Sequence, residues 1–379
     1  MQNRDKFNIL QIILNAFALA FQQGVCAISL KYLICKPYFN TTLMLFDPIE
    51  IKNLKLKNRI VMPPMCQYQS LDGFANNWHM MHYLSRAVGQ VGTIIFEASA
   101  VEPRGRISMN DLGIWNDKHI DQLSIIVTEC QKFGAKVGIQ LAHAGRKSMV
   151  INEEIVAPSA IAFSDKFPVP HELSVIEINE IVDKFGQAAK RAELAGFDFV
   201  EVHGAHGYLV SEFLSPVSNQ RADEYGKTKE LFLKQVLEKV KMNLPKDKAV
   251  FLRVSGEEYH ENGNHPESMG ELLKNVSDNF DVLHVSSGGI YNKEKYDIFP
   301  AYQLEYANKL KQILNKPVIA VGRLENAEIA ERALLDKKAD LIAVGKGILN
   351  DPHWVLHAAQ KLGVDIEWPE SYLRAKGIS

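Results

Sequence analysis

Cysteine is scarce in this chain: four occur in 379 residues. Cys26 and Cys35 lie in an unusual N-terminal stretch, and Cys66 and Cys130 are isolated. That count and spacing exclude a disulfide framework and fit reduced thiols in a cytoplasmic enzyme. A surplus of either charge is also lacking. Lys and Arg number 43 and Asp and Glu 45, for a net charge of −2. No overall field draws such a chain to nucleic acid or to a membrane surface. No Gly-x-Gly-x-x-Gly turn follows an early apolar run, so the usual mark of a doubly wound dinucleotide-binding sheet is missing. What is present is near average: 46% hydrophobic and 23% charged residues, with 24 Gly and 15 Pro. This is the composition of a globular enzyme with a large core, not of a disordered, collagenous or coiled-coil chain.

Residues 7–30 contain no Asp, Glu, Lys or Arg. Preceded by Arg4 and Lys6 and containing Ala18-Leu19-Ala20, they have the outline of a secretory signal and the length of a membrane span. Gln11, Asn15, Gln22 and Gln23 would be costly to bury in lipid, so a membrane association is not expected. Met44-Leu45-Phe46-Asp47-Pro48-Ile49 reads as the start of a folded domain. Residues 1–43 are therefore read as an extra hydrophobic extension outside the fold, translated from an upstream start codon, with an anchor or a signal as the alternatives. The folded domain is expected over 44–379.

From residue 45 onward, short apolar runs alternate with helical periods. The runs are Arg59–Met62, Thr93–Phe96, Val137–Leu141, Phe197–Val202, Val250–Val254, Val282–Val285, Val318–Val321 and Leu341–Val344. Most are nearly continuous, as expected of parallel strands covered on both faces. Between them Ile178, Ile181, Val182, Phe185 and Ala189 recur at helical spacing before Gly196. Asp117 is placed to cap a helix carrying Ile120, Leu123 and Val127, and Asn326 to cap one carrying Ile329 and Leu334. Strand then helix, eight times, predicts an α/β fold: a single-domain (β/α)8 TIM barrel, with chemistry on residues just past the strand ends.

Polar and glycine residues do collect there. Gly322-Arg323 and Gly345-Lys346 follow the last two runs, where barrels frequently bind phosphate; ordinary turn chemistry is the alternative. His203 and His206 are spaced like some zinc ligands, but apart from Glu201 no carboxylate or cysteine lies at metal spacing, and no metal is expected. Two neutral imidazoles presenting N–H groups to one carbonyl oxygen fit better than solvated loop histidines. Tyr208 is either a proton donor to a carbanion or a packing residue. Gln140 suits the edge of a pyrimidine-like ring. Arg253 is either a charge near a flavin or one half of a structural salt bridge. Cys66 is either a small core residue or a weak hydrogen-bond donor that tunes a cofactor.

Several long stretches then resemble one family. They are Leu56-Lys57-Asn58-Arg59-Ile60-Val61-Met62 leading into Pro64-Met65-Cys66, Gln140-Leu141-Ala142-His143-Ala144-Gly145-Arg146, His203-Gly204-Ala205-His206-Gly207-Tyr208-Leu209, and Phe213-Leu214-Ser215-Pro216 with Asn219, Arg221, Asp223, Glu224, Tyr225 and Gly226. Their order resembles the Old Yellow Enzyme family of FMN-dependent ene-reductases over about residues 45–379. The cysteine after Pro-Met, where other members have threonine, is similar to the bacterial NADPH dehydrogenase branch, also called thermophilic-like or xenobiotic reductase. The resemblance implies FMN bound by Pro63, Pro64, Met65, Cys66, Ala98, Gln140, Arg253, Gly345 and Lys346, with Gly322 and Arg323 at its phosphate. It implies hydride from NADPH, or NADH, to the flavin N5 and then to the β-carbon of an activated alkene such as an enone, quinone or nitro compound. Tyr208 would protonate the α-carbon, His203 and His206 would hold the substrate carbonyl, Tyr68 would touch substrate, and Cys66 would tune the flavin. Arg374 would reach a neighbouring subunit's site, implying a homo-oligomer. The chain departs from the family at Lys346, where arginine is usual, and after Gly226, where Lys227-Thr228-Lys229-Glu230 replaces a longer run that includes an arginine; an altered loop is expected there. Two rival readings are an aldolase or isomerase acting on a phosphorylated substrate, for which no Schiff-base lysine is evident, and a non-catalytic flavin-binding sensor.

Overall fold

The computed structural model describes residues 43–377. Cys26, Cys35 and the reading of residues 1–42 as extension, anchor or signal lie outside the described residues. Eight strands form a closed parallel barrel. They are β1 (Ile60–Met62), β2 (Thr93–Ala100), β3 (Lys136–Ala142), β4 (Phe199–Gly204), β5 (Ala249–Ser255), β6 (Val282–Ser286), β7 (Val318–Ala320) and β8 (Leu341–Ala343). Each pairs in parallel with the next, and β8 pairs back onto β1 through Ile342–Ile60 and Ala343–Val61. All eight apolar runs are strands, with ends shifted by a few residues. β2 extends four residues past Phe96 and carries Glu97 and Ala98, both buried.

The principal helices between and after the strands are α1 (Asn77–Val88), α2 (His119–Gln131), α3 (Val175–Leu194), α4 (Leu231–Met242), α5 (Pro266–Lys274), α6 (Leu304–Leu314), α7 (Ala327–Leu335) and α8 (Trp354–Leu362). The face of α3 read from its periodicity is the buried one: Ile178, Ile181, Phe185 and Ala189 are fully enclosed. Ser174 and Glu177 close a capping box at its start. Asn326 caps α7 as expected, its side chain accepting from the Ile329 N–H. Asp117 does not cap α2. The Asn116 side chain accepts the Lys118 N–H at 3.0 Å instead, and Asp117 pairs with Arg191 of α3 at 2.7 Å. A carboxylate with a cation available on the next helix bonds to the stronger donor.

One end of the barrel is plugged. A hairpin of Ile49–Ile51 and Leu54–Leu56 packs Ile51, Leu54 and Leu56 against Val61, Ile95, Phe199, Phe251, Val282, Ile319 and Leu341. Phe199 and Phe251 stack with centroids 4.2 Å apart. Gly138 makes room for this, since a Cβ there would lie 2.3 Å from the Phe199 ring. With the N-terminal end filled by apolar side chains, polar groups are left to the opposite, C-terminal mouth. Cys66 and Cys130 are free thiols. Among the described residues no helix is long and apolar enough to cross a membrane.

Candidate functional site

A cavity of about 410 Å³ opens at the mouth. Residues beyond five different strands line it: Pro63, Pro64 and Met65 after β1, His206 after β4, Ser287 after β6, Gly322 and Arg323 after β7, and Gly345 and Lys346 after β8, with Arg253 from β5 itself. Nine of the residues singled out in the sequence therefore share one cavity. Cys66 does not line it but follows directly on Met65, half-buried, with its thiol pushed far up by burial. It is a thiol, not a thiolate, and can only donate weakly. Ala98 and Gln140 are buried in β2 and β3. Tyr68 is half exposed, its phenol raised to about 12 by burial and then by Cys66. Arg374 stands apart, exposed on the C-terminal turn Glu370–Ala375 and outside the cavity lining.

Arg253 is 7% exposed and its side chain makes no hydrogen bond or ion pair among the described residues; its Nε is buried without a partner. The structural salt bridge weighed from sequence is therefore not formed. A buried guanidinium with open donors facing a cavity is chemically incomplete and favours an anionic or acceptor-rich ligand. The glycines agree. Gly322 adopts φ +108°, a conformation open to glycine, and a Cβ there would lie 2.7 Å from Gln303 Oε1; a Cβ on Gly345 would meet Pro63 and Met65 at 3.6 Å, an ordinary contact. Arg323 also lines the cavity, but its Nε donates to Glu325 at 2.6 Å, so part of its charge is already answered. Lys346 has no such partner among the described residues.

The loop after β4 sets the second half of the site. The Ala205 N–H donates to His203 Nδ1 at 3.2 Å, which leaves the ring proton on Nε2, a nitrogen without a protein partner among the described residues. Burial first, and Arg253 second, holds this imidazole well below its usual pKa, so it is neutral. His206 is held the same way by burial and Arg253. Its Nε2 is 2.8 Å from Ser286 Oγ, and its backbone N–H donates to Ser255 Oγ at 2.9 Å. The two imidazoles stand perpendicular, 5.2 Å apart, and the Tyr208 ring lies 5.0 Å from His203. The Tyr208 phenol is raised far above its usual value by burial and then by Cys66. Tyr68, His206 and Arg323 all have positive φ, at +53°, +60° and +56°. Left-handed backbone at non-glycine positions is strained and gathers at functional sites.

Sequence reasoning missed Lys147. Its Nζ donates to His206 O at 2.9 Å and Gly289 O at 3.1 Å, joining the loops after β4 and β6, and sits 5.0 Å from the Tyr208 ring centroid. Burial lowers it to about 8. It is the half-buried lysine an aldolase reading would want, but its ammonium is occupied by two carbonyls. Ser255 and Ser286 were missed too, although each ends a strand and the same strand-end reasoning reaches them. Among the described residues one group of acids and histidine could hold a metal ion, Glu154, His171 and Glu177; it excludes His203 and His206, and Glu177 Oε2 already accepts from the Ser174 N–H and hydroxyl at the α3 cap.

A family model described as NADH:flavin oxidoreductase / NADH oxidase matches residues 44–365. A curated NADPH dehydrogenase of Clostridium acetobutylicum is 47% identical over 336 residues, covering 87% of this chain and 99% of that protein. One from Bacillus subtilis is 44% identical over 336 residues, covering 87% and 98%. Among solved structures, morphinone reductase superposes with a TM-score of 0.74 at 25% identity, covering 87% of this chain and 92% of that one.

Proposed function

From the premise that the chain belongs to the NADH:flavin oxidoreductase / NADH oxidase family and is an oxidoreductase, we propose that it is an FMN-dependent NADPH dehydrogenase acting as an ene-reductase. The observation that carries this reading is Arg253, a buried cation with unsatisfied donors in a glycine-edged cavity. In this reading Pro63, Pro64, Met65, Cys66, Ala98, Gln140 and Arg253 hold the flavin ring, and Gly322, Arg323, Gly345 and Lys346 hold its phosphate. Bound there, FMN supplies a two-electron relay between NADPH and an activated alkene, an enone, quinone or nitro compound.

The chain's own residues then do three things. His203 Nε2–H, with His206 beside it, donates to the substrate carbonyl oxygen and stabilises the enolate charge that grows there. Being neutral, the pair donates without placing a full positive charge in the pocket. Tyr208, whose raised pKa keeps its phenol protonated at any working pH, holds the proton destined for the α-carbon. Tyr68 flanks the substrate. Arg374, exposed and lacking a role in its own cavity, completes a neighbouring subunit's site in a homo-oligomer. Free Cys66 and Cys130 support action in the cytoplasm. The folded enzyme is residues 44–379, with 1–43 an extension.

The purified protein is expected to be yellow and to bleach on titration with NADPH. Tyr208→Phe is expected to go on oxidising NADPH with a quinone while enone reduction falls about a hundredfold or more. Enone turnover at full rate in that variant removes Tyr208 from its role, and a colourless protein that takes up no FMN removes the whole reading.

A further inference from the structure

Behind Gln140 lie a buried acid and imidazole, Glu201 and His284, that none of these roles uses. Glu201 on β4 sits two residues before His203, and His284 on β6 two before Ser286, so each points to the same face of its strand as a mouth residue. Glu201 and His284 are 0% exposed and Gln140 is 1% exposed. Glu201 Oε1 accepts from Gln140 Nε2 at 2.8 Å, and Oε2 accepts from His284 Nδ1 at 2.8 Å. We infer that Glu201 and His284 form a buried positioning pair that fixes the orientation of the Gln140 amide toward the flavin and balances the charge of Arg253; the inference rests on the reading that this cavity holds FMN.

The bonding directions make the case. A buried carboxylate survives only with donors on its oxygens. An ionised carboxylate accepts and never donates, so the Gln140 end facing it must be nitrogen, which removes the usual ambiguity of an amide's two ends. Gln140 Oε1 is thereby turned away from Glu201 and held as a fixed acceptor. Burial and then Arg253 keep His284 neutral, with its single proton on Nδ1 toward Glu201. Its Nε2 is consequently an unprotonated acceptor, buried and without a partner. Arg253 has no ion pair; it stands opposite His203 on β4 and His284 on β6 in the strand register, so Glu201, two residues before His203, shares its side of the sheet and is the acid that raises it most. The ring of FMN would therefore meet a floor bearing one positive and one negative charge, with an amide whose direction is dictated from beneath.

Glu201→Gln keeps the shape, removes the charge and lets Gln140 turn over. FMN titrated into flavin-stripped full-length protein, followed by flavin fluorescence, is expected to bind about tenfold more weakly than to wild type, the usual size of an effect on groups that orient a ligand's own contacts. The midpoint potential of the bound flavin is expected to move positive, because Arg253 then acts unopposed on the anionic reduced ring. Glu201→Asp keeps the charge but cannot reach both partners, so FMN affinity falls while the potential stays near wild type. His284→Asn can replace the Nδ1 donor with an amide N–H and is expected to keep the wild-type potential. A folded Glu201→Gln protein with unchanged FMN affinity and unchanged potential overturns the inference while leaving the flavin reading intact. Wild-type protein that takes up no FMN overturns the functional reading and this inference with it. Should Glu201→Gln not fold, Glu201→Asp carries the test, and unchanged FMN affinity there is the overturning result.

Discussion

The Glu212 carboxyl follows Tyr208 by four residues and is fully buried. One oxygen accepts the Arg146 N–H at 2.9 Å and the other has no partner. Burial raises it to about 8, with Arg146 opposing. The folded state thus binds this proton more tightly than the unfolded chain does, and stability is fully present below the ordinary carboxyl pKa of about 4.5 and declines as pH rises toward about 8. Glu97 and Glu258, each raised to about 7 by burial, act in the same window. His79 and His82, lowered by burial to about 4 and about 3, act the other way: their contribution is lost as pH falls below about 6.5. Glu212→Gln mimics the protonated acid, so its Tm should fall less than that of wild type between about pH 5 and about pH 8. An unchanged Tm difference would show that Glu212 does not hold this proton. At this scale the sequence was informative where chemistry is one-dimensional. His203, His206 and Arg253 could be found because each lies at or near a strand end. Lys147 could not, since what defines it is two carbonyls contributed by loops after β4 and β6, at residues 206 and 289.

Between elements, the loops after β4 and β6 touch backbone to backbone. Gly207 has φ +66°, and a Cβ there would lie 2.1 Å from Gly289 O; Gly289 in turn presses on His206. Gly207→Ala must therefore separate the two loops and strain its own backbone. The expected outcome is a KM for an enone raised about tenfold with FMN retained, together with a Tm lower by a few degrees, for a cost of about 1–3 kcal/mol. An unchanged enone KM would mean that the contact does not position His206. The existence of all eight strands was readable from continuous apolar runs, because a strand covered on both faces has no reason to alternate. Capping was less so. Asp117 has the right residue type but falls one residue before the N-cap position, Lys118, and its side chain bonds to Arg191, 74 residues later. Propensity describes the local contest, and tertiary partners decide it.

For the molecule as a whole, the chain is anchored from Met44. The Met44 and Leu45 N–H groups both donate to the Glu331 carboxylate of α7, at 2.8 Å each, and the Leu45 side chain is fully buried. A protein beginning at Met44 places its terminal ammonium at the same carboxylate, so its melting temperature should match that of the full-length chain within a few degrees by calorimetry. A much lower value would show that residues 1–43 contribute to the barrel's stability. The architecture was legible because strand count and helix spacing repeat. The plugged end was not, because Ile51, Leu54 and Leu56 look like any short apolar stretch until the barrel places them beneath Phe199 and Phe251.

Closure of the ring joins Ile60 to Ile342, so the first and last strands meet only after nearly the whole polypeptide exists. Pro63, which follows β1, and Gly345, which follows β8, both line the cavity at that seam yet belong to opposite ends of synthesis. A chain still emerging from the ribosome has half a cradle at best. A truncated product lacking β8 cannot close the ring and is expected to remain apoprotein that added FMN does not rescue.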